Sequence, residues 1–174
     1  MIAYFFILLG AVLRVLPHAA NFAPIGAIAL FGGAYLNKKY ALVAPLAAMV
    51  ISDFFIGFDS IQSRAIIYGS FLLIGGVGYL LRKRITATRV LGASVLSSVI
   101  FFLITNLPFV HAASLYPYTL NGTLTSYINA LPFFKNTLMS DVLYTSAFFG
   151  AYELVKLWKA NKLKTHAHQS QSSS

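Results

Sequence analysis

"VLGASVLSSVIFFLITNLPFV", residues 90–110, runs from end to end without a charged side chain. Crossing a bilayer takes about 20 mainly apolar residues in a helix, and this run supplies them. A second run, 137–158, carries only Asp141, Glu153 and Lys156. The rest of the chain has the same character. Of its 174 residues, 58% are hydrophobic and 10% charged, whereas soluble domains carry roughly a quarter charged residues. The acids are Asp53, Asp59, Asp141 and Glu153, too few to build a water-facing surface. Composition therefore predicts an all-α integral membrane protein with no soluble domain. Its single transmembrane domain is expected over 1–158, followed by a polar, disordered tail over 159–174. His166 and His168 in that tail are read as solvated rather than as metal ligands. With no cysteine in the chain, disulfides and thiolate chemistry are excluded.

Six apolar segments follow from the pattern, at 2–16, 24–37, 40–57, 65–81, 90–110 and 137–158. Lys38-Lys39, Arg82-Lys83-Arg84 and stretches rich in Gly, Pro and Asn separate them. The first two are short, so one of them is expected to be tilted, broken or partly inserted. The first segment lacks a basic start and holds Arg14 near its end, which argues against a cleaved signal peptide.

The basic residues fall on alternate connections. Lys38, Lys39, Arg82, Lys83, Arg84, Arg89, Lys156, Lys159, Lys162 and Lys164 share one side; Arg14, Arg64 and Lys135 share the other. The positive-inside rule puts the larger group in the cytoplasm. Both termini then face inward, and connections 17–23, 58–64 and 111–136 face outward, in a multi-pass protein of the cytoplasmic (inner) membrane. The net charge of +9 is a consequence of that topology. A nucleic-acid partner would require a basic soluble face, and none exists.

On this topology the polar residues gather in the outward half. "RVLPHAANFAP" (14–24) brings Arg14, His18, Asn21 and Phe22 to the first connection, with Pro17 and Pro24 as helix breakers. Asp53 ends the third segment in "ISDFFIGF", where it caps a turn or neutralises Arg64. Asp59 reads as an exposed loop acid. Asn106 and Pro108 break the fifth segment, as a binding site in a discontinuous helix or a plain helix end would require. Thr137, Asp141, Tyr144 and Phe148 recur at helical spacing and share a face. Such intramembrane charges usually face the bundle interior and pair. Asp141 is thus either a wall of a ligand pocket or the partner of Arg14 in a buried ion pair, and Arg14 is expected to supply the positive charge facing Asp53 and Asp141. The long connection 111–136 holds Tyr116, Tyr118 and Asn136. Residues 123–131 are expected to form a short interfacial helix, as an aromatic belt or as a lid over an outward cavity. Together these side chains make a candidate small-molecule site. One arginine and two acids among aromatic rings suit a neutral or cationic heteroaromatic ligand. Metal transport through His18, Asp53 and His111 lacks a tight ligand spacing.

The strings "LPHAANFAPIGAIALFGGAYL", "SDFFIGF", "YPYTLNGTLTSYINALPFFKNTLMSD" and "FFG" resemble a bacterial family of small membrane proteins of unknown function. That family is in turn similar to the S components, the substrate-binding subunits of energy-coupling factor (ECF) vitamin transporters. The resemblance covers residues 14–150. It implies a six-helix bundle with an outward pocket for a vitamin-like micronutrient, shaped by the first, third and fifth connections. It also implies a transmembrane coupling subunit driven by ATPases as partner. The chain has no GxxxxGK[ST] phosphate loop of its own, and no cofactor is expected. S components often dock that partner through an alanine-xxx-alanine pair in the first span; here the first span lacks it. Small-xxx-small pairs lie instead at Ala23/Ala27, Ala29/Gly33, Ala44/Ala48 and Ala93/Ser97.

Two other functions compete with this one. A structural or assembly subunit would use the same polar residues as packing contacts. An intramembrane hydrolase would share a proton between Asp53 and Asp141, although the chain lacks the GxGD pattern of intramembrane aspartyl proteases. The residues favour a binding protein that is not an enzyme.

Overall fold

A computed structural model describes residues 2–57, 60–110 and 115–172, with side chains described as far as 163. The described residues form six α-helices and no strand: α1 (Ile2–Val15), α2 (Ile25–Tyr35), α3 (Val43–Ile56), α4 (Ile61–Leu81), α5 (Ala87–Thr105) and α6 (Leu120–Ser172), with a 3-10 turn at Pro108–Val110. The protein is thus all-α. Two helices, α4 with 21 residues and α5 with 19, are long and apolar enough to cross a membrane. At 1.5 Å per residue α4 is about 31 Å long, the thickness of a hydrocarbon core. The helices α1, α2 and α3 are apolar but shorter.

Local chemistry sets the ends. The fourth helix begins before the apolar run at 65, because the Ser60 hydroxyl accepts from the Ser63 N–H at 3.1 Å and caps the first turn. Thr86 caps α5 in the same way through the Arg89 N–H at 3.4 Å. The fifth helix stops at Thr105, short of 110. The Asn106 amide turns back to donate to the Phe102 carbonyl at 2.8 Å, and Pro108 cannot continue the ladder. At the end of α3, Gly57 takes φ +109 and donates to the Asp53 carbonyl at 2.8 Å.

The largest departure from the sequence expectation is α6. The short helix over 123–131 and the segment 137–158 are parts of one helix that starts at Leu120 and passes through Pro132. Contacts with α5 carry it. Ser126 donates to the Asn106 carbonyl at 2.8 Å, Tyr127 donates to the Leu103 carbonyl at 2.6 Å, and Phe134 meets Phe102 with ring centroids 4.6 Å apart. Most of the expected outer loop is thereby helical and packed. The helix also continues to Ser172, through the stretch read as a disordered tail.

The centre of the bundle is α2, in which every residue from Gly26 to Ala34 is buried. Glycines let α4 approach it backbone to backbone. A Cβ added at Gly33 would lie 2.1 Å from the Gly75 carbonyl oxygen, and one at Gly78 would lie 2.1 Å from that of Leu30. Arg82, read from sequence as a loop cation, donates through Nε to the Gly33 carbonyl at 2.7 Å and through Nη2 to that of Leu36, closing the C-terminus of α2. Aromatic rings pack beside this end: Phe31 contacts Phe6, Phe148, Phe149 and Tyr152 at 5.4–6.1 Å between centroids.

Candidate functional site

At the other end of the bundle the C-termini of α1, α3 and α5 meet the N-termini of α2 and α4 and the first half of α6. Two adjoining cavities open there. One, of about 420 Å³, is lined by residues 14–18, Asn21, the start of α2, Phe55, Phe71, Phe101, Thr137 and Asp141. The other, of about 430 Å³, lies between α4, α5 and α6 and takes Ser63, Thr105, Asn106, Tyr116, Ser126 and Asn129 as polar lining. Asn21, Phe101 and Thr137 belong to both.

The first connection is held in place by short-range bonds. Asn21 adopts φ 59, a left-handed conformation that asparagine tolerates. Phe22 N–H bonds to the Ala19 carbonyl at 2.9 Å. Both ring nitrogens of His18 face backbone carbonyls, those of Ala19 at 3.0 Å and Arg14 at 3.1 Å. From α6, Asn136 donates to the Ala20 carbonyl at 3.0 Å and Ser140 to that of Ala23 at 2.7 Å. The connection is thus tied to the helix across the cavity.

The charges resolve into two separate groups. Arg14 pairs with Asp53, not with Asp141 as one expectation had it, and its Nη1 also reaches Ser52 Oγ and, at 3.1 Å, the Met49 carbonyl. Tyr68 donates to the second oxygen of Asp53. This pairing follows from the helix ends: Arg14 and Asp53 close neighbouring helices α1 and α3. Asp141 accepts from Ser98 Oγ at 2.7 Å and presses on the backbone of Gly26, where an added Cβ would lie 2.2 Å from its Oδ1. Gly26 lies in the first turn of α2, whose positive end favours a carboxylate. The two aspartates therefore have different partners, and no hydrogen bond between them is described.

The structure brings Arg14, His18, Asn21 and Asp141 to one cavity, and Asn21, Asn106 and Tyr116 to the other. Asp53 stands behind Arg14 as its counter-ion. Phe22 and Tyr144 meet each other at 6.1 Å, away from both cavities. Tyr118 is exposed and lines neither; Asn136 acts on the connection rather than in the cavity. Asp59 and His111 lie outside the described residues, as do the side chains of His166 and His168. Among the described residues no three histidine or acid side chains gather as metal ligands. Sequence reading missed Ser98, Gly26, Ser126 and Asn129. Their types are common in membrane helices, and only the α5–α6 and α2–α6 registers single them out.

The class this fold defines is a protein all-helical in its described residues, with two helices long and apolar enough to cross a membrane and two adjoining cavities of mixed polarity at one end. The chain belongs to DUF6580, a family of unknown function, which matches residues 1–165. No curated protein and no solved structure shows significant similarity to it.

Proposed function

We propose that this protein is a membrane-embedded substrate-binding subunit for uptake of a small, vitamin-like molecule, multi-pass in the cytoplasmic membrane. The observation that carries the reading is the pair of adjoining cavities sharing Asn21, Phe101 and Thr137. Each falls within the roughly 300–1,000 Å³ of small-molecule sites, and each mixes aromatic walls with a few directional polar groups. The distribution of cations supports an outward orientation of that end. Arg82 at the end of α4, Arg89 at the start of α5 and Lys156 within α6 lie toward the opposite end of the bundle, where the positive-inside rule expects cytoplasm. Coupling to an ATP-driven transmembrane partner belongs to the same proposal.

A structural subunit is the second reading, and the Arg14–Asp53 pair favours it, since those charges satisfy one another. The two separate by a thermal-shift panel of vitamins and their precursors on the full-length protein in mild detergent. The binding reading expects a compound that raises the unfolding temperature of the native protein and not of Asn21→Ala or Thr137→Phe. A panel without any shift, or one whose shifts survive both substitutions, contradicts it.

A further inference from the structure

Asp141 is 3% exposed, and neither ion pair described in the structure, Arg14–Asp53 or Lys156–Glu153, involves it. A buried carboxylate in an apolar bundle is costly without a full counter-charge, and the first turn of α2 supplies only a partial one. Its surroundings are rich in oxygen. Ser98 faces it at 2.7 Å from α5. One turn along each helix, on the same faces, stand Ser94 on α5 and Thr145 on α6. The two helices are antiparallel. Ser98 lies against Asp141, and further along Val90 and Phe149 line one groove. Ser94 and Thr145 therefore fall between those levels, opposite each other. Both residues are fully buried, at 0% exposure. Neither the Ser94 hydroxyl nor the Thr145 hydroxyl has a hydrogen-bond partner among the described protein atoms, whereas the large majority of buried side-chain polar atoms in folded proteins have one.

We propose that Asp141, Ser98, Ser94 and Thr145 form a binding site for a sodium-sized alkali cation between α5 and α6. One carboxylate balances a single positive charge, whereas a divalent ion would leave a net charge buried. The neutral donors are hard hydroxyl oxygens, with no imidazole or thiol, which suits an alkali ion over a transition metal. Ser98 can turn its lone pairs to the ion, because its hydroxyl hydrogen has a second acceptor ready in the Ser94 carbonyl at 3.2 Å. Asp141 borders the cavity behind Arg14 and His18, which gives the ion an entry path. The site stands whether or not that cavity takes an organic ligand.

The test is thermal unfolding of the full-length protein in detergent at constant ionic strength, with sodium chloride exchanged for choline or potassium chloride and no organic ligand present. The proposal expects a saturable rise in unfolding temperature with sodium. That rise is lost in Asp141→Asn. In Thr145→Val and Ser94→Ala, which keep the packing volume, the apparent sodium affinity falls roughly tenfold or more, as loss of a contact to a charge implies. Equal stability in sodium and choline would overturn the site, leaving a buried water or a protonated Asp141 as the occupant's replacement. A sodium effect undiminished in both Thr145→Val and Ser94→Ala would overturn it equally, by placing the ion elsewhere.

Discussion

Replacing Gly33 by alanine is expected to force α2 and α4 apart. The new Cβ would sit 2.1 Å from the Gly75 carbonyl oxygen and 2.9 Å from the Tyr79 nitrogen. These are backbone atoms and cannot swing aside, so the helices must separate locally by about 1 Å to restore van der Waals contact. A gap of that order forfeits roughly a quarter to a half of the dispersion energy between facing atoms. Leu30 and Ile74, both buried, pack close to this crossing. Overpacking costs about 1–3 kcal/mol, and a backbone obstacle puts Gly33→Ala at the upper end; alanine's better helix propensity returns about 1 kcal/mol. The net is a loss of about 2 kcal/mol. Gly76→Ala is the internal control, since nothing lies within 4 Å of its added Cβ. That substitution should be neutral or stabilise by up to about 1 kcal/mol. Reversible unfolding in mixed micelles, followed by circular dichroism, reads both. Equal stability of the two variants would refute the close α2–α4 crossing.

Further perturbations address the site and the topology. Arg14→Met strands the buried Asp53 and is expected to cost about 3–5 kcal/mol, whereas Arg14→Met with Asp53→Leu should recover most of that loss; the same unfolding assay reads the cycle. Gly26→Ala pushes a methyl to 2.2 Å from Asp141 Oδ1, so any compound found to shift the native protein should bind roughly tenfold more weakly, by titration, while the helical spectrum is kept. The chain has no cysteine, so single cysteines report sidedness directly. Tyr118→Cys should react with a membrane-impermeant maleimide on intact cells, and Lys83→Cys and Lys159→Cys only after permeabilisation.

The sequence was informative where composition and punctuation act alone. A chain 10% charged has to bury its surface in lipid or in itself, and Pro17, Pro24 and Pro108 fall between α-helices. Five of the helices therefore fall close to the expected segments. The sixth does not, because Tyr116-Pro117-Tyr118 and Pro132 read as loop material, while the decisive contacts of Ser126, Tyr127 and Phe134 with α5 are long-range. Half of the candidate site was legible for the same reason. Arg14, His18, Asn21 and Asp141 stand out as polar groups in apolar surroundings, and they do converge. Which acid takes Arg14 depends on which helix lies beside α1, and periodicity carries no such information. Phe22 and Tyr144 share the right neighbourhood in the chain but turn toward each other.

The most direct measurement is native mass spectrometry of the intact protein released from mild detergent, comparing it with Thr137→Phe, which places a ring in the wall common to both cavities. If the protein binds a small molecule there, the native chain carries a discrete added mass of vitamin size and Thr137→Phe does not. A native chain that flies bare after purification and after incubation with the compounds of the panel, or an added mass retained equally by Thr137→Phe, would contradict the binding function.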